Sequence, residues 1–361
     1  MNSKERFMAA CNHQTPDRVP IDYQAGRAID KKLRSYLGVT SEKELLDELC
    51  CDFYYLSVRD ISQNEGSMKI YRGPKLDITE TQRTCPFGIR YLRAQHDWKF
   101  GADEVISGAL ENAESAKDVL KHSWPKPEWF DVESLIEECE QNADRVIISG
   151  FWTAIMGNSY RLLGFEKFLM NMALKPEMIK ALIKRMCDFY MALNDRLFSA
   201  LKGKIDVFFF GNDFGSQNAM LFSEEMWLDF FLEPYIRIIA LAHSYGLKVM
   251  VHSCGAISPI LKHLIKAGTD IIDPVQITAK DMMPERLKEK FGEKIVFHGA
   301  IDTQNLLPSA TVETVYQRTL DMIKILGANG GYILAPCNNL QSDTPVKNIE
   351  AMYRAAQNLK L

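Results

Sequence analysis

The sequence predicts a (β/α)₈ barrel on three observations: eight short apolar runs, helical periodicity between them, and polar, metal-ligating residue types where the runs end. The runs are RVPIDY (18–23), DFYYLSV (52–58), RVIISG (145–150), IDVFFFG (205–211), LKVMVHS (247–253), DIIDPV (270–275), KIVFHG (294–299) and GYILAP (331–336). Each is continuous and rich in Val, Ile, Phe or Tyr, as suits a strand buried on both faces of a parallel sheet. From the third onward the runs alternate with helical segments. In the longest segment, Met178, Leu182, Met186, Phe189, Leu193 and Leu197 draw one apolar stripe, which reads as core. Such alternation implies parallel strands with right-handed crossovers, and eight units favour closure over an open sheet.

Before the first crossover the chain carries an N-terminal helical extension. Between the second and third runs, residues 60–145 are too long for one crossover and contain SMKIYRGPKLDITETQRTCPFGIRYLRAQ, which alternates like β-hairpins. This segment is expected to be an insertion over the barrel mouth. Helices near 41–50 and 131–142 flank it, the second opened by Asp131 as N-cap. GANGG (327–331) precedes a strand rather than opening a helix, so it reads as a helix end and turn, not a phosphate loop. With no internal repeat beyond the βα unit, residues 1–361 form one predicted domain.

A hydrophobic content of 47% is ample for a buried core. The net charge of −4 is spread along the chain without a basic block, which argues against nucleic acid as a partner. MNSKERFMAACNHQ lacks an apolar secretion core and no run approaches membrane-spanning length, so a cytoplasmic protein is expected. The eight cysteines follow no disulfide framework, and reduced thiols are the default.

Barrel enzymes carry their reactive groups at the C-terminal ends of the strands. Just past the runs stand Gln24 and Arg27, then Arg59 with Asp60, Trp152, and Asn212 with Asp213. His252 and Cys254 follow the fifth run, Asp273 and Gln276 the sixth, His298 and Asp302 the seventh, Cys337 and Asn338 the eighth. His252 and Cys254 are one residue apart, so on an extended chain they project to the same side, within reach of one ion. Cys337 shares the rim of a closed barrel. A histidine and two thiolates suit zinc with an open fourth position. The alternative is plain packing, and the metal reading requires Cys337 close to the other two. Arg27 and Arg59 suit carboxylate or phosphate binding, or surface salt bridges. Asp213, in GNDFGSQ, suits proton handling or a bond to a ligand histidine, or else a turn or cap.

The segments KERFMAACNHQTPDRVP, QAGR, HSCG, AGTDIIDPVQ, FHGAIDTQNLLP and GGYILAPCNNLQSDTPVKNIEAMYRAA together resemble the uroporphyrinogen decarboxylase superfamily over essentially the whole chain. That family includes porphyrinogen decarboxylases and zinc-dependent cobamide methyltransferases, and its fold is a (β/α)₈ barrel. The decarboxylase branch carries R-Q-A-G-R, an acid within F-S-D, and G-H-G near the eighth strand. Here Tyr23 replaces the first arginine, leaving Arg27; Val58 falls where the acid belongs; and APCNN stands near the eighth strand. The methyltransferase branch resembles this chain better, since its zinc pattern is H-x-C with a distant third cysteine, matched by His252, Cys254 and Cys337. APCNNLQSD departs from that branch in lacking its Gly-Cys dipeptide.

The resemblance implies Zn²⁺ and a substrate thiol, deprotonated by the metal, exchanging a methyl group with a corrinoid. With no D-x-H-x-x-G motif here, the corrinoid is expected on a separate cobalamin-binding protein. Asp213 and His252 are the expected catalytic residues. Gln24, Arg27, Arg59, Trp152, Asn212, Gln276, Asp302 and Asn338 are the expected substrate contacts. Polycarboxylate decarboxylation and a non-catalytic ligand-binding barrel are the alternatives.

Overall fold

A computed structural model describes residues 1–57, 69–93 and 103–359. Seven apolar runs form strands of one parallel sheet: β1 (Phe53–Tyr55), β5 (Val146–Ser149), β6 (Val207–Gly211), β7 (Lys248–His252), β8 (Ile271–Val275), β9 (Val296–Ile301) and β10 (Tyr332–Pro336). Their spatial order, β1-β5-β6-β7-β8-β9-β10, follows the chain. Three further strands, β2 (Gln82–Thr84), β3 (Arg90–Leu92) and β4 (Glu104–Ser107), make a separate antiparallel sheet, the hairpins expected in the insertion.

The first run closes the curve between β10 and β1, although it is reduced to a single bridge, Ile21 to Leu334. Its backbone bonds Leu334 on one side, through Leu334 N to Pro20 O and Asp22 N to Leu334 O, both 2.9 Å. On the other side Asp52 N donates to Ile21 O at 2.8 Å. Pro20 has no N–H and the Ile21 N–H is taken by the Asp52 carboxylate at 2.9 Å, so no longer ladder forms here.

The barrel interior follows the period-two rule for strands. Phe53, Val146, Ile148, Val207, Phe209, Met250, Ile271, Val296 and Ile333 meet as one buried cluster. Phe7, on a helix (Ser3–Cys11) started by an Asn2/Glu5 capping box, plugs its lower end against Phe53. Burial contributes roughly 1.5–3 kcal/mol for each such side chain. Outside the sheet, the predicted stripe from Met178 to Leu197 is buried along the helix Pro176–Ala200.

Two local expectations are corrected. The described part of the insertion packs against helices, with Phe87 5.2 Å from Phe189 and Leu110 N bonded to Leu162 O, and no contact it makes places it over the mouth among the described residues. Asp131 caps nothing with its side chain: its ψ of 80° departs from extended N-cap geometry, and its carboxylate pairs with Arg72 instead. A 3₁₀ turn (Val132–Leu135) then leads into the helix Ile136–Gln141. GANGG is a helix end and turn as expected, with Asn329, Gly330 and Gly331 all in left-handed backbone after the helix Val312–Gly327. No helix among the described residues is long and apolar enough to cross a membrane.

Candidate metal centre

Above the apolar layer the same strand faces turn polar. β7 pairs with β8 so that Met250 lies beside Ile271 and His252 beside Asp273. On β9, His298 stands two residues beyond Val296. These side chains form one hydrogen-bonded chain across the barrel. His252 Nδ1 lies 2.5 Å from Asp273 Oδ2, Asp273 Oδ1 lies 2.6 Å from His298 Nδ1, and His298 Nε2 lies 2.9 Å from Asp22 Oδ2. The Tyr55 hydroxyl also donates to Asp22 Oδ2, at 2.6 Å. Asp22 and Tyr55 escape the sequence analysis, while Asp273 and His298 stand on its rim without an assigned role. The available signal was the period-two register: Met250 to His252, Ile271 to Asp273 and Val296 to His298 are steps on one face.

Burial works against an imidazolium at His298, yet Asp273 and Asp22 outweigh it and raise the pKa to about 9. Unfolded histidine titrates near about 6.5, so the stabilisation is complete below that and is lost as pH rises through about 9. The thermal midpoint of the wild type should therefore fall relative to that of His298→Gln between these pH values. A gap that stays constant across the window would contradict this assignment.

His252 Nε2 points to Cys254 and Asp213, which line a cleft at the mouth. Cys254 Sγ lies 3.5 Å from this nitrogen and Asp213 Oδ1 3.2 Å. The three donor atoms all lie within 4.8 Å of one another. A tetrahedral ion with bonds of about 2.0–2.3 Å holds its donors about 3.3–3.8 Å apart, and the two separations from His252 Nε2 are close to that range. Burial opposes the charged form of His252, but Cys254, Asp213 and Asp273 hold its pKa well above the ordinary value. Partial desolvation by its neighbours opposes the Asp213 carboxylate, whose side chain is still 60% exposed, but His252 and the Cys254 N–H bring its pKa down to about 2. Burial pushes the Cys254 thiol up, with His252 pulling the other way.

Backbone contact between two loops places Cys254. Ala256 N donates to Ser216 O at 2.8 Å, and Cys254 N donates to Asp213 Oδ1 at 3.0 Å. Gly255, at φ +90°, has no room for a side chain, since a Cβ there would lie 2.4 Å from the Gly215 carbonyl carbon. Gly255→Ala should separate the loops and cost about 1–3 kcal/mol for the backbone conformation alone. Denaturant unfolding would read the loss, and unchanged stability would contradict the close approach.

Cys337 is not gathered with the other two predicted ligands, so the expected set of His252, Cys254 and Cys337 is not what the fold assembles, and a metal reading now has to stand on a different third donor. Its buried thiol donates to Val275 O at 3.1 Å, and Asp213 occupies the third place instead. Cys337 nevertheless lines the same cleft as Cys254.

That cleft encloses about 340 Å³. Gln276 and Asn338 line it as expected, joined by Gln217 and Gln304. Gln276 Oε1 accepts from Gly255 N at 2.8 Å, and Asn338 Nδ2 approaches Cys254 Sγ at 3.6 Å. Trp152 stands edge-on to His252, with ring centroids 5.4 Å apart. Gln24 bonds Tyr55 and Asp22. Two expected contacts have their polar groups engaged by the protein itself. Asn212 is buried in the wall, accepting from Gly157 N and donating to the Tyr235 hydroxyl. Asp302 lines the cleft, but its carboxylate accepts from the backbone of Gln304, Asn305 and Leu306, as a cap does. The Arg27 guanidinium is exposed at the start of the helix Arg27–Leu37, with no ion pair among the described residues. Arg59 and Asp60 lie outside the described residues. Among the described residues lining the cleft there is no Lys or Arg.

Over 143 residues the chain is 27% identical to the methylated-thiol–coenzyme M methyltransferase of Methanosarcina mazei, a match covering 39% of this chain and 35% of that protein. The chain thus spans about a third of that curated relative's length. The solved structure of a methyltransferase from Methanosarcina mazei superposes with a TM-score of 0.66 at 16% identity, covering 99% of this chain and 98% of the other, a likeness of fold. Residues 112–359, well over half of the chain, match the uroporphyrinogen decarboxylase (URO-D) family, and the chain belongs to it.

Proposed function

We propose that this protein is a zinc-dependent methyltransferase, moving a methyl group between a corrinoid on a separate protein and a small-molecule thiol or other donor or acceptor. The observation that carries this reading is the donor set: an imidazole nitrogen with a thiol sulfur at 3.5 Å and a carboxylate oxygen at 3.2 Å, all three within 4.8 Å of one another. The methyltransferase likenesses and the family membership support it.

His252, Cys254 and Asp213 would hold the ion. Cys337 would reach it by giving up its hydrogen bond to Val275 O. Zinc, when bound, lowers the proton affinity of a coordinating substrate thiol so that it reacts as thiolate. The chain's own residues do the rest. Asp273 orients His252, and Trp152 with Phe209 forms an aromatic wall beside it. Gln217, Gln276, Gln304 and Asn338 offer hydrogen bonds along the cleft that orient an acceptor. A cleft without described lysine or arginine lining is poorly suited to a porphyrinogen polycarboxylate, which weakens the decarboxylase reading.

Metal analysis and turnover test the proposal together. The purified protein should carry one equivalent of zinc and, with a thiol present, should demethylate free methylcobalamin until a chelator removes the metal. Metal-free protein with both Cys254 and Cys337 freely alkylated, or metal-independent release of carbon dioxide from uroporphyrinogen, would overturn it.

A further inference from the structure

His298 meets a carboxylate oxygen at each ring nitrogen, Asp273 at 2.6 Å and Asp22 at 2.9 Å, and all three side chains are at most 4% exposed. An ionised carboxylate only accepts hydrogen bonds, so both nitrogens must carry protons for both contacts to be favourable. His298 is thus a cation between two anions. Asp22 is fixed in turn: Oδ1 accepts from Tyr23 N at 2.8 Å, and Oδ2 from the Tyr55 hydroxyl. The free oxygen of Asp273 has one place to go, His252 Nδ1 at 2.5 Å, which requires a proton on that nitrogen. His252 Nε2 is therefore the atom turned to Cys254 and Asp213.

We infer that His298 and Asp22 are positioning residues, an ionic clamp that acts through Asp273 to fix the ring and tautomer of His252 for metal binding. The metal-binding consequence rests on the zinc reading above; the fixing of His252 does not. The clamp draws on three elements, with Asp22 on the closing bridge, Asp273 on β8 and His298 on β9. The aim of a side chain on β7 is thereby tied to barrel closure. Without His298, Asp22 and Asp273 face each other with no cation between them, and Asp273 loses the partner that holds its orientation.

Full-length His298→Gln and Asp22→Asn would be compared with wild type by chelator competition for zinc, by the visible spectrum of the Co²⁺-loaded protein, and by proton NMR of the metal-free protein. Outer partners of ligand histidines typically change metal affinity by about 10–100-fold, and a loss in that range with a shifted Co²⁺ spectrum is expected. In the metal-free wild type, the His252 Nδ1 proton should resonate far downfield, assigned by its loss in Asp273→Asn, and should move upfield in both clamp variants. Ile333→Ala, in the apolar layer, controls for a merely loosened barrel; it should lower Tm yet keep zinc affinity and the downfield proton. Unchanged affinity and an unmoved proton in the clamp variants would overturn the inference, and Asp22→Asn carries the test if His298→Gln does not fold. A wild type that binds no zinc but whose downfield proton responds to the clamp variants would sink the zinc reading and leave the clamp standing.

Discussion

On the zinc reading proposed above, Cys254→Ser should leave the protein folded, with zinc affinity reduced by more than about 100-fold, beyond what outer-partner changes usually produce. A serine hydroxyl fills the space but gives up the soft, readily ionised sulfur that zinc favours. The remaining donors reach the ion from different starting points. Asp213 is exposed and held by His252 and the Cys254 N–H, whereas Cys337 is buried and bonded to Val275 O. Bringing Cys337 to the ion costs about one hydrogen bond, roughly 1 kcal/mol, and gains a thiolate. Asp213→Asn and Cys337→Ser should therefore each weaken zinc binding by about 10-fold, or ~1.4 kcal/mol, and the double variant should approach Cys254→Ser. Metal analysis after dialysis against a chelator, with methylcobalamin turnover alongside, reads all four proteins. Stoichiometric zinc retained by Cys254→Ser would exclude the H-x-C pair as the heart of the site.

The barrel was legible because its strands are buried on both faces and so appear as continuous apolar runs, with the chemistry concentrated just past their ends. His252 and Cys254 followed from that rule and their spacing. Asp213 as a third donor did not, because its place depends on backbone packing between the Gly215 and Gly255 loops, which no local pattern encodes. Asn212 and Asp302 have the composition of substrate contacts, but their partners are main-chain groups of neighbouring segments and a tyrosine brought close only by the fold. Asp22 and His298 lie 276 positions apart in sequence. Only a closed barrel makes them neighbours, and only inward-facing register singles them out.

Closure itself rests on a charge, and Asp52→Ala should cost about 3–5 kcal/mol, as removing one partner of a buried ion pair does. Asp52 is fully buried beside the bridge at Ile21. Its carboxylate accepts from Arg6 Nη1 at 2.6 Å, Arg18 Nη1 at 2.8 Å and Ile21 N at 2.9 Å. Alanine would take the shared buried carboxylate from two guanidinium groups and leave the Ile21 N–H without that partner in the seam. The closing strand cannot make this good with a longer ladder, since Pro20 has no N–H to offer. Asp17 is the informative contrast. It also pairs with Arg6, which holds its carboxyl well below the usual range against the opposing effect of burial. Its side chain is 43% exposed, however, so Asp17→Ala should cost no more than about 1 kcal/mol. Urea unfolding compares the two variants, and amide exchange at Asp22 and Leu334, the hydrogen-bonded pair at the seam, locates the loss. Equal destabilisation by Asp17→Ala and Asp52→Ala, or unaltered exchange at the seam, would show that the barrel closes without this carboxylate. If instead the seam opens in Asp52→Ala, Asp22 moves with it, and zinc affinity should fall although no donor to the ion has been touched.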